Sequence, residues 1–249
     1  MDLNADLGEH DGDGYESDLA LLDVVTSASI ACGAHAGSDE VMRNTARAAA
    51  DRGVVIGAHP GYRDRAGFGR REMAMPAASL AAEVVAQVMA LARCCEAVGT
   101  RLRYVKPHGA LYNTAARDSA VALTIAVALR DFDRDLIVLT LPRCALEAAA
   151  GMAGLTVARE AFIDRAYSDD GSLVPRGVAG ATIRDAALAS GRALTMVRDR
   201  TVTSITGAVV AIDPDSLCVH SDSDNALAMV TAARSRLEQS GFVCASFAR

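Results

Sequence analysis

Short apolar runs alternate with longer Ala-rich segments along this chain, and that alternation predicts a sheet wrapped by helices. The runs at 2–6, 26–32, 53–58, 102–107, 135–141, 155–162 and 216–220 have the length of buried strands. Between them, segments near 38–52, 77–99, 117–130, 143–150, 180–198 and 223–240 carry apolar residues at helical spacing. The last of these opens on Ser223-Asp-Asn, good N-cap chemistry before Ala226. Strands alternating with helices favour a parallel sheet with the helices packed outside it. About seven strands fit a TIM-like or incomplete β/α barrel, and an open doubly wound sheet gives much the same one-dimensional pattern. No Gly/Ser-rich or Pro-rich linker interrupts the series, so residues 1–249 read as a single α/β domain. A weaker alternation over 200–215 adds a hairpin. The stretches 60–76 and 164–178 are irregular and rich in Gly, Arg, Asp and Pro; loops of that length commonly cover or build a site.

Bulk properties narrow the classes. With 249 residues, 51% of them hydrophobic, the chain can bury a substantial core. No apolar stretch read from the sequence approaches the roughly 20 residues that cross a bilayer, so no membrane span is expected. The opening Met1-Asp-Leu-Asn-Ala-Asp6 has neither the basic region nor the apolar core of a secretory signal, which points to the cytoplasm. Six scattered cysteines without C-x-x-C spacing are expected to be reduced thiols. A net charge of −6, no basic block and 4% aromatic residues argue against nucleic acid as a partner.

Chemistry concentrates where the apolar runs end. Four of the five histidines, His35, His59, His108 and His220, follow such runs. A strand's period of two puts Asp2, Asn4 and Asp6 on one face of the first run, with Glu9 just beyond it. Gly33-Ala-His35-Ala-Gly37 is echoed by Gly57-Ala-His59-Pro-Gly61, as if two strand ends shared one design. Lys106 and His108 share a face across Pro107. A buried Lys must be paired, and Asp6 or Glu9 is the expected partner. Arg165 and Arg176 are placed to clamp a carboxylate or to be solvated loop charges, and His220 with Asp222 precedes a helix, a position suited to an anion. Each group also has a structural reading, as a packed histidine, a turn cap or a surface charge. There is no H-E-x-x-H and no tight H-x-H pair, so no intrinsic metal is expected; any such site has to be assembled from separate strands. A phosphate-binding G-x-x-x-x-G-K-[ST] is absent as well.

These motifs occur together in one family. Asp2-Leu-Asn-Ala-Asp-Leu-Gly-Glu9, Ile30-Ala-Cys-Gly-Ala-His35, Ile56-Gly-Ala-His-Pro-Gly61, Gly67-Phe-Gly-Arg70, Val105-Lys-Pro-His-Gly-Ala-Leu-Tyr-Asn113, Asp164-Arg-Ala-Tyr167, Asp170-Gly-Ser-Leu-Val-Pro-Arg176 and Cys218-Val-His220 run in order from residue 2 to about 242. In this respect the chain resembles the LamB/YcsF family. The resemblance implies a seven-stranded β/α barrel of the glycoside hydrolase/deacetylase type and ATP-dependent opening of 5-oxo-L-proline to L-glutamate with 5-oxoprolinase subunits B and C. ATP would enter through that complex, and a homo-oligomer is compatible with it. The implied catalytic set is Asp6, Glu9, His35, His59, Lys106 and His108; the implied substrate-binding set is Asn4, Tyr112, Asn113, Arg165, Arg176, His220 and Asp222. The chain departs from the family pattern at Ala34, usually Phe, at His10-Asp11, and at Ser221, usually Gly. Two alternatives stay open: a stand-alone metal-dependent deacetylase or amidohydrolase, and a non-catalytic ligand-binding subunit.

Overall fold

The computed structural model of the protein describes residues 1–10, 14–220 and 225–248. Seven parallel strands close into a barrel: β1 (Asp2–Leu7), β2 (Ser27–Ala31), β3 (Val55–His59), β4 (Tyr104–Val105), β5 (Ile137–Thr140), β6 (Thr156–Phe162) and, after a small antiparallel pair β7 (Thr201–Thr203) and β8 (Val209–Ala211), β9 (Ser216–His220). β9 lies between β6 and β1 and completes the ring. The helices are α1 (Gly14–Leu22), α2 (Asp39–Asp51), α3 (Ala77–Ala97), α4 (Gly109–Arg117), α5 (Ser119–Phe132), α6 (Ala145–Met152), α7 (Ala186–Arg198) and α8 (Ala226–Gln239). The barrel, one of the two expected architectures, is thus the one adopted.

Local chemistry accounts for most of these boundaries. Ser38 accepts a hydrogen bond from Val41 N at the start of α2, and Asp39 and Glu40 in its first turn suit the positive end of the helix dipole. Asp118 caps α5 through Ala120 N and Val121 N, and Asp185 caps α7 through Leu188 N. Both α1 and α4 lie outside the expected helices, and Asp118 divides α4 from the helix expected at 117–130. For α8, Asn225 makes no side-chain cap; it donates to the Arg184 carbonyl instead, while Ser223 and Asp224 lie outside the described residues.

One expectation is corrected by α3. At 21 residues it is long and apolar enough by length and composition to cross a bilayer. In this fold Leu80, Val84, Val88, Leu91 and Cys95 are buried, and the helix packs beside α2 and α5. Its buried Gln87 holds both the N–H and the carbonyl of Gly61, at 3.0 and 2.9 Å, and so anchors the loop that follows β3.

The two faces of the strands differ in character. Leu3, Ala5 and Leu7 point to the helices and are fully buried, worth about 1.5–3 kcal/mol for each leucine. The barrel interior is partly polar, with Asp2, Asn4, Asp6, Ser27, Ser29, Lys106, Glu160 and Ser216 all buried. Its lower part is closed by Tyr104, Leu139 and Ala158, with Phe247 meeting the Tyr104 ring edge-on at 5.2 Å. Gly57 makes room for that plug: a Cβ there would lie 2.1 Å from the Tyr104 ring. Asp6, Lys106 and the strand-end histidines lie above the plug, toward the C-terminal ends of the strands, where barrels assemble their sites, while Asp2 sits lower in the interior.

Candidate active site

The inward face of β1 carries an ascending ladder of polar groups. Asp2, lowest, accepts hydrogen bonds from Thr26 Oγ1 (2.5 Å), Ser27 Oγ (2.8 Å) and the Ser216 hydroxyl. Burial nevertheless pushes its carboxyl up to about 6. Asn4 donates to Glu160 Oε1 at 2.9 Å and to Ser216 Oγ at 2.7 Å. Asp6, at the top, meets Lys106 Nζ at 2.7 Å and His59 Nε2 at 3.3 Å.

Lys106 is the hub of this network. Its ammonium lies 2.7 Å from Asp6, 2.8 Å from Glu160, 3.3 Å from Asn4 Oδ1 and 3.2 Å from Cys218 Sγ. Burial opposes a charged lysine, but the surrounding acidic groups, Asp6 foremost, outweigh it and hold Lys106 well above the ordinary lysine range. Burial likewise opposes an ionised Asp6, and His59 and Lys106 together hold it well below the usual carboxylate range. An ammonium has three protons, and these partners occupy them. Lys106 therefore organises the floor of the site.

Above the hub sits a histidine cluster. His59 Nδ1 donates to the Lys106 carbonyl at 2.8 Å, and His108 Nε2 donates to the Phe68 carbonyl at 2.8 Å. The opposite nitrogens, His59 Nε2 and His108 Nδ1, are 3.0 Å apart. Glu9 Oε1 approaches His108 Nδ1 at 3.2 Å and His35 Nε2 at 3.3 Å. Burial opposes its ionisation, but the contacts with His108 and His35 hold its carboxyl far below the ordinary range. His35 stacks flat on His108 with ring centres 3.7 Å apart, and burial lowers it to about 4, so it is neutral at pH 7. Gly69, at φ +64°, lets the loop after β3 close over this stack; a Cβ there would lie 2.8 Å from both His35 Cβ and His108 Cδ2.

The floor opens into a cavity of about 600 Å³. Asp6, Glu9, His59, Lys106 and His108 line its base, and Arg70, Asn113, Arg143, Arg165, Ser172 and Arg176 line its walls. Arg165 is largely buried and donates to the Val174 carbonyl at 2.6 Å, so it braces the 164–178 loop as well as facing the cavity. Asn113 is exposed at the rim. Tyr112 donates to Glu160 Oε2 at 3.1 Å. His220 Nδ1 pairs with Asp164 at 2.8 Å and its ring stacks on Phe162. Burial opposes the charge on Asp164, and His220 outweighs it to keep that carboxyl low.

The structure thus gathers Asn4, Asp6, Glu9, His35, His59, Lys106, His108 and Tyr112 on one connected floor. Arg165, Arg176, Asn113 and His220 are placed on the cavity wall, and Asp222 lies outside the described residues. Of the two partners expected for Lys106, Asp6 is the one it meets, and Glu160 joins it. One sequence reading needs correction. The two Gly-Ala-His units are not equivalent, because the register pairs His59 with Ala31, leaving His35 in the loop beyond β2. The space beside Gly57 is taken by the Tyr104 ring. Glu160 is a site residue that the sequence reading lacks, although a lone acid between Ala158 and Phe162 on the inward parity of a strand is a readable signal. The Asp164 partner of His220 and the Phe68 carbonyl carry no such signal.

Comparison with known proteins adds an independent line. The profile of the LamB/YcsF family matches residues 1–249. A 5-oxoprolinase A subunit from Paracidovorax citrulli (strain AAC00-1) is 47% identical over 249 residues, covering 100% of this chain and 99% of its own. A second protein of that name, from Symbiobacterium thermophilum, is 47% identical over 97% of this chain and 93% of its own. The crystal structure of a lactam utilization protein from Thermus thermophilus superimposes with a TM-score of 0.92 at 42% identity, over 99% of both chains.

Proposed function

The chain belongs to the LamB/YcsF family, and from its site we propose that it is the ring-opening component of an ATP-dependent 5-oxoprolinase, a hydrolase of the cyclic amide bond of 5-oxo-L-proline. The observation that carries this reading is the convergence of Asp6, Glu9, His59 and His108 over a buried lysine, beneath a wall bearing Arg70, Arg143, Arg165 and Arg176. The names of the two 47%-identical relatives supply the substrate.

A five-membered lactam is a stable amide, and its carbonyl carbon resists water. Partner subunits B and C couple the reaction to ATP by transferring a phosphoryl group to the amide oxygen, which makes C5 electrophilic. One water adds at C5 and the C5–N bond breaks as nitrogen takes up a proton. A second water releases phosphate and leaves glutamate. In this chain Asp6 and Glu9, both held ionised, and the histidines beside them orient the attacking water and draw off its proton. Lys106 positions Asp6 from below. The arginine-bearing wall receives the substrate carboxylate and the charge of the phosphoryl group.

The test is reconstitution: the purified chain, its B and C partners, ATP and 5-oxoproline, with glutamate and ADP measured together. Asp6→Asn and His59→Gln should each lower turnover roughly 10²- to 10⁴-fold, the usual contribution of proton-transfer groups, while circular dichroism shows a retained fold. Full turnover in both variants, or no ATP-dependent glutamate with the unaltered chain, would overturn the assignment.

A further inference from the structure

His59 and His108 aim acceptors at one another. A neutral imidazole has one donor and one acceptor nitrogen. Each ring spends its donor on a main-chain carbonyl, His59 on Lys106 and His108 on Phe68, both at 2.8 Å. The nitrogens left facing each other at 3.0 Å, His59 Nε2 and His108 Nδ1, therefore both present lone pairs. Two carboxylate oxygens border the same space: Glu9 Oε1, which also takes a hydrogen bond from His35 Nε2 at 3.3 Å, lies 3.2 Å from His108 Nδ1, and Asp6 Oδ2 lies 3.3 Å from His59 Nε2. Lys106 gives its charge to the other oxygen of Asp6 and to Glu160. Such a convergence of lone pairs calls for a positive species at its centre.

We infer that Glu9, His59 and His108 form a binding site for one divalent transition-metal cation of the zinc, cobalt, nickel or manganese kind. Their ligand atoms lie within 4.8 Å of one another. They form a triangle with sides of 3.0, 3.2 and 4.0 Å. A point about 2.0 Å from all three atoms exists inside such a triangle, and that is the usual bond length from zinc to imidazole nitrogen or carboxylate oxygen. Both rings already donate their remote N–H to a fixed carbonyl, which is how proteins orient metal-binding histidines. Two imidazoles and one carboxylate select transition metals over magnesium or calcium, which prefer oxygen shells. The three residues come from or just beyond the ends of three different strands, β1, β3 and β4, so the barrel preforms the set. All three line the cavity base, within reach of solvent. A bound cation would supply polarisation of a water molecule, with Asp6 beside it. The inference does not depend on the lactam reading and can fail without it.

The experiment strips the purified chain with dipicolinate, adds Zn²⁺ or Co²⁺, and measures retained metal by mass spectrometry after desalting. One equivalent per chain is expected, with affinity at least about tenfold weaker in the His59→Gln/His108→Gln double variant. Two readouts need only the unaltered chain. The cobalt form should show the visible bands of a site with fewer than six ligands, and long-range ¹⁵N spectra should show zinc moving His59 Nε2 and His108 Nδ1 but not the remote nitrogens. Failure to retain zinc or cobalt, equal retention by a folded double variant, or ring nitrogens unmoved by zinc would overturn the proposal.

Discussion

Replacing Lys106 by Met tests the electrostatic logic of the barrel interior. The substitution keeps the side-chain length and removes one buried ammonium from between Asp6 at 2.7 Å and Glu160 at 2.8 Å. All three residues are at most 3% exposed, so water screens neither carboxylate once the cation is gone. Removing one partner of a buried pair costs about 3–5 kcal/mol, and here two acids lose the same partner, which places the loss toward the upper end. For a chain of this size that lowers the melting temperature on the order of 10 °C. The pH dependence identifies the cause. In the unaltered protein Asp6 is held below its unfolded value, so its contribution is present above about pH 4 and is lost as pH falls through the lower, folded value. In Lys106→Met the same acid keeps burial against it and only His59 and His220 in its favour, its folded value rises, and the folded state takes up protons as pH falls. The stability gap between the two proteins should therefore shrink from pH 7.5 to pH 5. Urea unfolding followed by circular dichroism at both pH values measures it. Adding Glu160→Gln should recover part of the loss, because it removes one of the stranded charges. A gap below about 1 kcal/mol at pH 7.5, or one that does not narrow, would refute the pairing scheme.

Two further outcomes follow from the interior. Asp2, raised by burial to about 6, stabilises the fold while protonated, fully below about pH 4, and that contribution is lost as pH rises through 6. Asp2→Asn should remove roughly 3 kcal/mol of this pH dependence, seen as a flatter profile in urea titrations at pH 4.5, 6 and 7.5. Gly57→Ala drives a Cβ to 2.1 Å from the Tyr104 ring and should cost roughly 1–3 kcal/mol. Combining it with Tyr104→Leu should return much of that loss in the same unfolding assay, whereas a neutral Gly57→Ala would show that the plug yields freely.

Much of the architecture is legible in the sequence because it depends on local periodicity. Seven strand positions can be read within a few residues, and the two-residue period alone puts Asp2, Asn4 and Asp6 on one face. Element boundaries go astray where a single polar residue decides them. Asp118 ends one helix and caps the next, so α4 and α5 read as strand-end motif and helix rather than as two helices. The site is half legible for a related reason. Each strand-end histidine is visible individually, but equivalence of the two Gly-Ala-His units is a matter of spelling, whereas strand register is set by hydrogen bonding, which pairs His59 with Ala31.

What the sequence determined by itself was parity and inventory: which residues face inward on each strand, and that acids, a lysine and histidines cluster near strand ends. Tertiary structure alone decided the partnerships. Glu160 meets Lys106 because β9 enters between β6 and β1 and closes the ring, carrying the inward face of β6 across from β4. The acceptors of His59 and His108 converge because two main-chain carbonyls, at Lys106 and at Phe68, take the opposite ring nitrogens. A carbonyl is the same chemical group in every residue, so its role depends on where the chain has folded and leaves no mark in the order of side chains.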